Sequence, residues 1–558
     1  MEPTLLKITA ARALVDQLIV NGVDHVFCVP GESYLSVLDA FYERKLQLTV
    51  CRNEGGAAMM ADAYGKATGK PGICFVTRGP GAANAFGGVL VAQHDSTPLI
   101  LFIGQVERFV KERGAFQEVD YRAMFGGQTK WTAEIDNASR TVEFVSRAFR
   151  TACSGRPGPV VLSLPKDMLD ECVPCIRAPR VYAVETWPGA DDMRRLATLI
   201  EEATRPICIV GGTRWDEEAT RALQDFAQEF DIPIATSYRR APLFDALHPC
   251  YAGDLGLNAN PKLVQRIKDS DLVVLVGGRL GEIPSQGYRL LDIPMPRMAF
   301  VHVYPHAEEI GRVYAPDLAI HASPRPFAAA LRELRANASI SWREQTKAAH
   351  EDYLSFSSTA TPSADVDLAE IMIWLRDNTG AEAIICNGAG NYASWIHRYY
   401  RFRRFGTHIA PTSATMGYGL PAAVAMQRLY PDRMVISVNG DGDFLMNGQE
   451  FATAVQYALP IIVIVCDNAS YGTIRMHQER NFPGRVIATD LQNPDFAAYA
   501  RAFGGFGATV ERTRYFPEAF EAARCSGQPA IIHVKIDPDR ITPTATLTDI
   551  RRNAMAHC

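Results

Sequence analysis

A carboxylate and a side-chain amide that leave neighbouring strands at one edge of a sheet can share a metal ion, and the segment from Val435 to Ile474 offers such a pair. A strand over Met434–Val438 ends at Gly440-Asp441-Gly442. A helical pattern follows, with Phe451, Ala454, Val455, Ala458 and Leu459 on one apolar face, and Pro460 stops it. A second apolar strand, Ile461–Cys466, ends at Asp467-Asn468, and Ser470-Tyr471-Gly472 turns the chain. The crossover makes the two strands parallel, so Asp441 and Asn468 emerge at the same carboxyl edge, where open α/β sheets bind ligands. The Asp441 carboxylate, the Asn468 amide oxygen and the Ser470 carbonyl are hard oxygen donors, which suit magnesium shared with phosphate oxygens. Gly440 and Gly442 carry no side chain where a diphosphate would approach the backbone, and the helix N-terminus that follows favours the anion. A lone Gly-Asp-Gly is a common turn; the specificity lies in its pairing with Asn468 across a strand–helix–strand unit.

The elements that must position these groups recur along the chain. Short β-rich apolar runs alternate with helical patterns, which predicts an α/β protein with parallel sheets. Helix Ala10–Asn21 stops at Gly22, and strand His25–Val29 runs into Pro30-Gly31. Strand Leu48–Arg52 leads into Glu54 and a small-residue helix from Gly55 to about Thr68. Strand Gly72–Thr77 meets the turn Arg78-Gly79-Pro80-Gly81, and Pro98–Ile103 is a further strand. Strands at Ile207–Val210 and Leu272–Val276 end in glycine pairs, and Phe300–Val303 and Ala383–Cys386 are two more. A proline-rich stretch from Pro165 to about Pro188 and a Ser/Thr-rich stretch from about Ser341 to Asp365 read as linkers. The expectation is three doubly wound domains with parallel sheets: residues 1–180, 190–338 and 366–545.

Length and composition bound the function. At 558 residues, 47% hydrophobic and 21% charged, the chain is an ordinary globular protein of roughly three or four domains. A net charge of −5 without a basic run argues against a nucleic-acid partner. The longest apolar run is too short to span a bilayer, and no signal peptide follows Glu2. Twelve cysteines scattered through apparent core segments fit free thiols in a cytoplasmic protein. Cys172 and Cys175 form one CxxC with no second pair at zinc spacing, so a metal is not expected there.

The Gly-Asp-Gly…Asn unit resembles the diphosphate and metal motif of thiamine-diphosphate enzymes of the acetolactate synthase and pyruvate decarboxylase superfamily. Asn53-Glu54-Gly55-Gly56-Ala57, Thr77-Arg78-Gly79-Pro80-Gly81, Ala115-Phe116-Gln117-Glu118, Ser154-Gly155-Arg156-Pro157-Gly158-Pro159 and Thr415-Met416-Gly417-Tyr418-Gly419-Leu420-Pro421 are similar to that family too. The resemblance covers nearly the whole chain and points to the large, catalytic subunit of acetolactate synthases. It implies a pyrimidine-binding, a Rossmann-like and a diphosphate-binding domain in that order. It assigns Glu54 to the glutamate that protonates or polarises N1′ of the cofactor; read locally, Glu54 also fits a helix cap. Met416 matches the apolar residue that props the cofactor into a bent shape, although core filling explains a methionine as well. Gly388, Gly390 and Asn391 match a second diphosphate-contacting turn. Gly440, Asp441, Gly442, Asp443, Asn468, Tyr471 and Gly472 complete the implied cofactor set, with Asp441, Asn468 and Ser470 on magnesium. In the family, one cofactor spans the first domain of one subunit and the third of another. The resemblance therefore implies a homodimer or a dimer of dimers with active sites at the subunit interface.

The substrate class implied is a 2-oxo acid. After carbon dioxide leaves, the bound fragment is either protonated and released as an aldehyde or added to a second carbonyl. Phe116-Gln117 matches a pair near the reacting centre of acetolactate synthases, and Arg279 matches an arginine that holds a carboxylate. Two positions depart from that pattern. Glu32 stands where acetolactate synthases carry a small residue and simple decarboxylases a proton-relay aspartate. His477 stands where acetolactate synthases carry a tryptophan that favours a larger second substrate. Both also have plain readings, as a helix cap and as an exposed helix residue. Many acetolactate synthases bind FAD in the middle domain, but Leu280-Gly281-Glu282-Ile283 replaces the acidic pair expected after Arg279, which speaks against it here. Acetolactate-synthase-like carboligation is thus the first expectation. Decarboxylation or C–C lysis of a non-pyruvate 2-oxo acid is the second, and a catalytically silent assembly protein the third. A nicotinamide enzyme is disfavoured, because no GxGxxG with a downstream acid sits at a strand–helix junction.

Overall fold

The computed structural model describes residues 6–42, 44–336, 340–358 and 364–556. Glu2, the end of the expected middle domain at 338, and residues 359–363 of the second expected linker lie outside the described residues.

Three six-stranded sheets, every pairing in them parallel, carry the chain. The first holds β1 (His25–Cys28), β2 (Gln47–Val50), β3 (Gly72–Val76), β4 (Leu99–Gln105), β5 (Trp131–Glu134) and β6 (Pro159–Pro165), in the order β2-β1-β3-β4-β6-β5. The second holds β7 (Pro206–Val210), β8 (Ile234–Ser237), β9 (Tyr251–Leu255), β10 (Leu272–Val276), β11 (Ala299–Tyr304) and β12 (Leu318–His321), ordered β9-β8-β7-β10-β11-β12. The third holds β13 (Ile384–Asn387), β14 (His408–Ile409), β15 (Val435–Gly440), β16 (Ile462–Asp467), β17 (Phe506–Val510) and β18 (Ala530–Lys535), ordered β14-β13-β15-β16-β18-β17. The first and third sheets therefore share one topology, and the second has the Rossmann order. The expected α/β class with three doubly wound parallel domains is what the structure has.

The strands are short apolar runs because helices cover both faces of a parallel sheet. Every residue of β3 and β4 is buried, and Phe75 and Phe102 stack at 4.6 Å between ring centroids. The helix Glu54–Thr68 begins where the Asn53 side chain accepts a hydrogen bond from Gly55 N at 2.8 Å, and it ends at Gly69 in the left-handed conformation. Residues up to Val184, together with 424–429 and 447–457, form one compact unit; the rest of the chain forms a second.

Several local expectations need correcting. The helix of the Asp441–Asn468 unit is two helices, Asp441–Leu445 and Glu450–Gln456. Ala458 is exposed and left-handed, at φ 50°, so it and Leu459 fall outside the helix; Pro460 acts two residues earlier than its position suggests because it restricts the residues before it. The first linker is partly ordered, since Cys172–Pro174 pairs antiparallel with Lys7–Thr9. The second contains the helix Arg343–Phe356, where the preceding Trp342 and the helical Ala349 and Tyr353 are buried. Its polar face had masked that sparse apolar spacing. No helix of the described residues is long and apolar enough to cross a membrane.

At the reversal of strand order in the first sheet, β1 and β3 are neighbours and their following loops meet. A Cβ on Gly31 would lie 2.4 Å from Cβ of Thr77, and Ser33 Oγ is 3.0 Å from Thr77 Oγ1. Gly31→Ala is expected to destabilise the protein by about 1–3 kcal/mol in urea unfolding, and adding Thr77→Gly should recover part of that loss. Additive effects of the two changes would contradict this contact.

Candidate functional site

Three residues singled out in the first domain converge on the turn Arg78-Gly79-Pro80-Gly81. The turn joins β3 to the helix Gly79–Asp95. Nη2 of Arg78 pairs with Glu32 Oε1 at 3.0 Å. Gly79 N donates to the carbonyl oxygen of Gln117 at 3.1 Å, which holds Gln117 in a left-handed conformation at φ 63°. A Cβ on Gly81 would lie 3.3 Å from Glu54 Oε1, and Asn84, one turn along the helix, donates to Glu54 Oε2 at 2.9 Å. Glu54 is half-buried and is the first residue of its helix. The capping is done by Asn53, so the Glu54 carboxylate is free of that task. Phe116 is exposed.

The strand end before Glu54 is fixed from behind by a carboxylate that the sequence reading missed. Oε1 of Glu450 accepts from Arg52 N at 3.0 Å and from Asn53 N at 2.9 Å, and Oε2 accepts from Thr453 Oγ1. Glu450 is fully buried. Burial raises its carboxyl above the usual carboxylate range, against the pull of those hydrogen bonds.

In the third domain the hub is Asp443. Its Oδ2 accepts from the Tyr392 hydroxyl at 2.5 Å and its Oδ1 from Gly417 N at 2.6 Å. A Cβ on Gly388 would lie 2.2 Å from Oδ1. One buried carboxylate thus ties the Gly388–Asn391 turn to the loop that carries half-buried Met416. Burial pushes Asp443 up to about 6 in spite of its donors. Arg239, itself buried, donates to the carbonyls of Gly388 and Pro411 at 2.6 and 2.5 Å. Asn391 Oδ1 accepts from Thr473 Oγ1 at 2.9 Å, joining the same turn to the helix Gly472–Asn481. Gly390 is at φ 158°.

Asp441 is buried at the end of β15 and Asn468 follows β16. Asn493 Nδ2 donates to Asp441 Oδ2 and to Asp467 Oδ1, both at 2.7 Å. Burial raises the Asp441 carboxyl; Asp467, half-buried, is held low against its partial burial by hydrogen bonds from His533, Ala469 and Asn493. Asn468 Oδ1 accepts from Ser470 N at 3.2 Å, and the Ser470 carbonyl from Gly472 N at 2.8 Å. Each oxygen keeps a second lone pair. Cβ atoms on Gly440 and Gly442 would also meet the rings of Tyr392 at 3.2 Å and Tyr471 at 2.7 Å, a further reason for glycine at both positions. His477 is exposed on the Gly472–Asn481 helix. Arg279 follows the Gly277-Gly278 pair after β10. Glu32, Glu54 and Gln117 thus belong to one compact unit and the remaining candidates to the other.

Arg78, Asn84, Tyr392, Arg239, Glu450 and Asn493 were not anticipated. Arg78 lies inside a family-like turn, and nothing around it in the sequence marks its side chain as buried. Asn493 has no local signal, because its partners Asp441 and Asp467 are far from it in sequence.

Comparison with known proteins accords with this geometry. Residues 8–124 match the N-terminal TPP binding domain of thiamine pyrophosphate enzymes, 193–333 the central domain and 388–534 the C-terminal TPP binding domain. The chain belongs to the thiamine pyrophosphate enzyme family. It is 30% identical to the acetolactate synthase isozyme 2 large subunit of Escherichia coli, over 94% of this chain and 95% of that one. It is 31% identical to the acetolactate synthase large subunit of Parasynechococcus marenigrum, over 95% and 88%. It is 29% identical to the acetolactate synthase of Bacillus subtilis, over 96% and 94%.

Removing Glu450 orphans two buried amides, so Glu450→Ala is expected to cost about 1–3 kcal/mol and to lower turnover by loosening the approach to Glu54. Because the folded protein holds this carboxyl above its unfolded value, wild-type stability from this group is lost as pH rises through the folded value. Glu450→Gln, neutral throughout, should gain on the wild type between pH 5 and about 7.5. Urea unfolding at the two pH values checks this, and a Gln variant that falls further behind at high pH would contradict it.

Proposed function

We propose that this protein uses thiamine diphosphate and magnesium to make or break a carbon–carbon bond beside the carbonyl of a 2-oxo acid, with carboligation of the acetolactate synthase kind as the first reading. The observation that carries it is the Glu54 carboxylate, relieved of capping by Asn53, oriented by Asn84 and lying against Gly81 at the carboxyl edge of the first sheet. When bound, the cofactor supplies the electron sink that lets carbon dioxide leave a 2-oxo acid.

The chain's own residues do the rest. Glu54 shares a proton with N1′ of the aminopyrimidine. The Asp441 carboxylate, the Asn468 amide oxygen and the Ser470 carbonyl hold magnesium, and Asn493 keeps Asp441 in one rotamer. The Gly388–Asn391 turn, Gly440, Gly442, Asp443, Tyr471 and Gly472 shape the diphosphate end, and Met416 supports the cofactor from its loop. Gln117, Glu32 and His477 are assigned to the substrate side. The donor set fits the group: three oxygen ligands with spare lone pairs, and no thiolate or imidazole among them. No flavin role is assigned. At the reversal of strand order in the middle sheet, a Cβ on Gly212 would lie 1.7 Å from the Gly277 carbonyl oxygen, so the two glycine loops pack backbone to backbone there. We propose a homodimer or dimer of dimers in which the first domain of one subunit and the third of its partner share a cofactor. The resemblance along the whole chain supports this. Buried thiols such as Cys28, Cys74 and Cys208 suit a reducing cytoplasm.

Glu32 and His477 favour a second reading, decarboxylation or C–C lysis of a non-pyruvate 2-oxo acid. Pyruvate and a panel of 2-oxo acids, with products identified by mass, separate the readings. Acetohydroxy acids support the first and free aldehydes the second; no carbon dioxide from any acid would contradict both. Glu54→Gln should lower turnover on any accepted acid by about 100-fold or more while cofactor affinity persists. Asp441→Ala should weaken magnesium-dependent cofactor binding in calorimetry, and unchanged binding would remove the metal assignment.

A further inference from the structure

The ion pair at the first sheet's reversal is lopsided. The Arg78 side chain is 10% exposed, and that of its partner Glu32 is 67% exposed. Among the described residues, Nε of Arg78 is buried without a hydrogen-bond partner, and so is the hydroxyl of Tyr121. Burial raises the Tyr121 hydroxyl, and the nearby Arg78 charge works against that rise. A strong two-pronged donor and a phenol therefore face unfilled hydrogen-bonding demand at one place. That place is the turn against which the Glu54 carboxylate and the Gln117 carbonyl lie.

We infer that Arg78, with Glu32 as its resident counter-ion and Tyr121 beside it, receives a second anionic group of one substrate, so that one of the 2-oxo acids the protein accepts carries an acidic side chain. The inference rests on the proposed function for the reaction and adds the substrate class. The physics is a difference in hydration. A guanidinium this far removed from water cannot be left unpaired. Glu32 keeps most of its water, so releasing it costs little. An incoming carboxylate replaces Glu32 and fills the guanidinium fork in a bidentate manner. A neutral side chain leaves the resident pair in place and gains nothing.

The test uses the enzyme loaded with thiamine diphosphate and magnesium, and chain-matched acids: 2-oxoglutarate against 2-oxopentanoate, and 2-oxoadipate against 2-oxohexanoate. The readout is the ratio of kcat/KM within each pair. The wild type should favour the dicarboxylate by about tenfold or more, the equivalent of one charge-assisted contact. Arg78→Met should abolish that ratio through KM, Arg78→Lys should keep part of it, and Glu32→Gln should raise it. A wild-type preference for the monocarboxylate, or an unchanged ratio in Arg78→Met or Glu32→Gln, overturns the inference. Calorimetry with glutarate, which cannot react, separates this inference from the reaction. Glutarate that binds the wild type but not Arg78→Met supports the anion site even if no 2-oxo acid is consumed, in which case the proposed function falls. Glutarate that fails to bind the wild type removes the anion site whatever the turnover.

Discussion

In each of the three parallel sheets the strand order reverses beside the first strand, and the two loops that leave the strands flanking that reversal must occupy the same small space. In the first domain Gly31 meets Thr77, in the second Gly212 meets Gly277, and in the third Gly388 meets Asp443. A side chain on any of these glycines would overlap its neighbour. Parallel winding dictates the crowding, and open α/β sheets place ligands at such positions. The same constraint that locks the loops therefore brings chemistry-bearing residues together. Glu32 and Arg78 follow the first crowded pair by one residue each, and Asp441 precedes Asp443 of the third by two.

The domains use this position differently. In the middle domain backbone fills it, leaving the Gly211-Gly212 and Gly277-Gly278 loops packed on one another. In the first domain a charged pair fills it, and in the third a buried carboxylate that accepts from Tyr392 and Gly417. Asp443 and Arg239 hold the Gly388 turn from two sides, while Glu450 holds the strand end before Glu54. These are buried polar groups, each with its donors or acceptors largely met, and they fix geometry more than they add stability.

Much of this was legible in the sequence where periodicity and punctuation agree. The strand–helix–strand unit from Val435 to Asp467 was found because its strands are continuous apolar runs and its turn is glycine-rich. Its helix was drawn too long because Ala458 and Leu459 continue the apolar spacing beyond the point where Pro460 ends it. The two-residue strand His408–Ile409 carries no pattern to read. The helix Arg343–Phe356 reads as linker in the sequence because few of its residues are apolar. The shared topology of the first and third sheets left no repeat in the sequence, since strand order is a property of pairing and not of composition. Glu54, Asp441 and Asn468 were visible because their neighbours are distinctive. Asn493 and Glu450 were not, because what makes them matter is a partner distant in the chain. Arg78 was visible as a letter but not as a charge, since its burial depends on the loop after β1.

The central claim is that the first domain's glutamate and the third domain's aspartate serve one cofactor contributed by two subunits. Mixing two inactive proteins tests it most directly. Glu54→Gln and Asp441→Ala chains, dissociated together and reassembled, should regain activity, because each mixed dimer would have one site with both residues intact. Reassembled mixtures that contain mixed dimers yet stay as inactive as either parent would contradict the account.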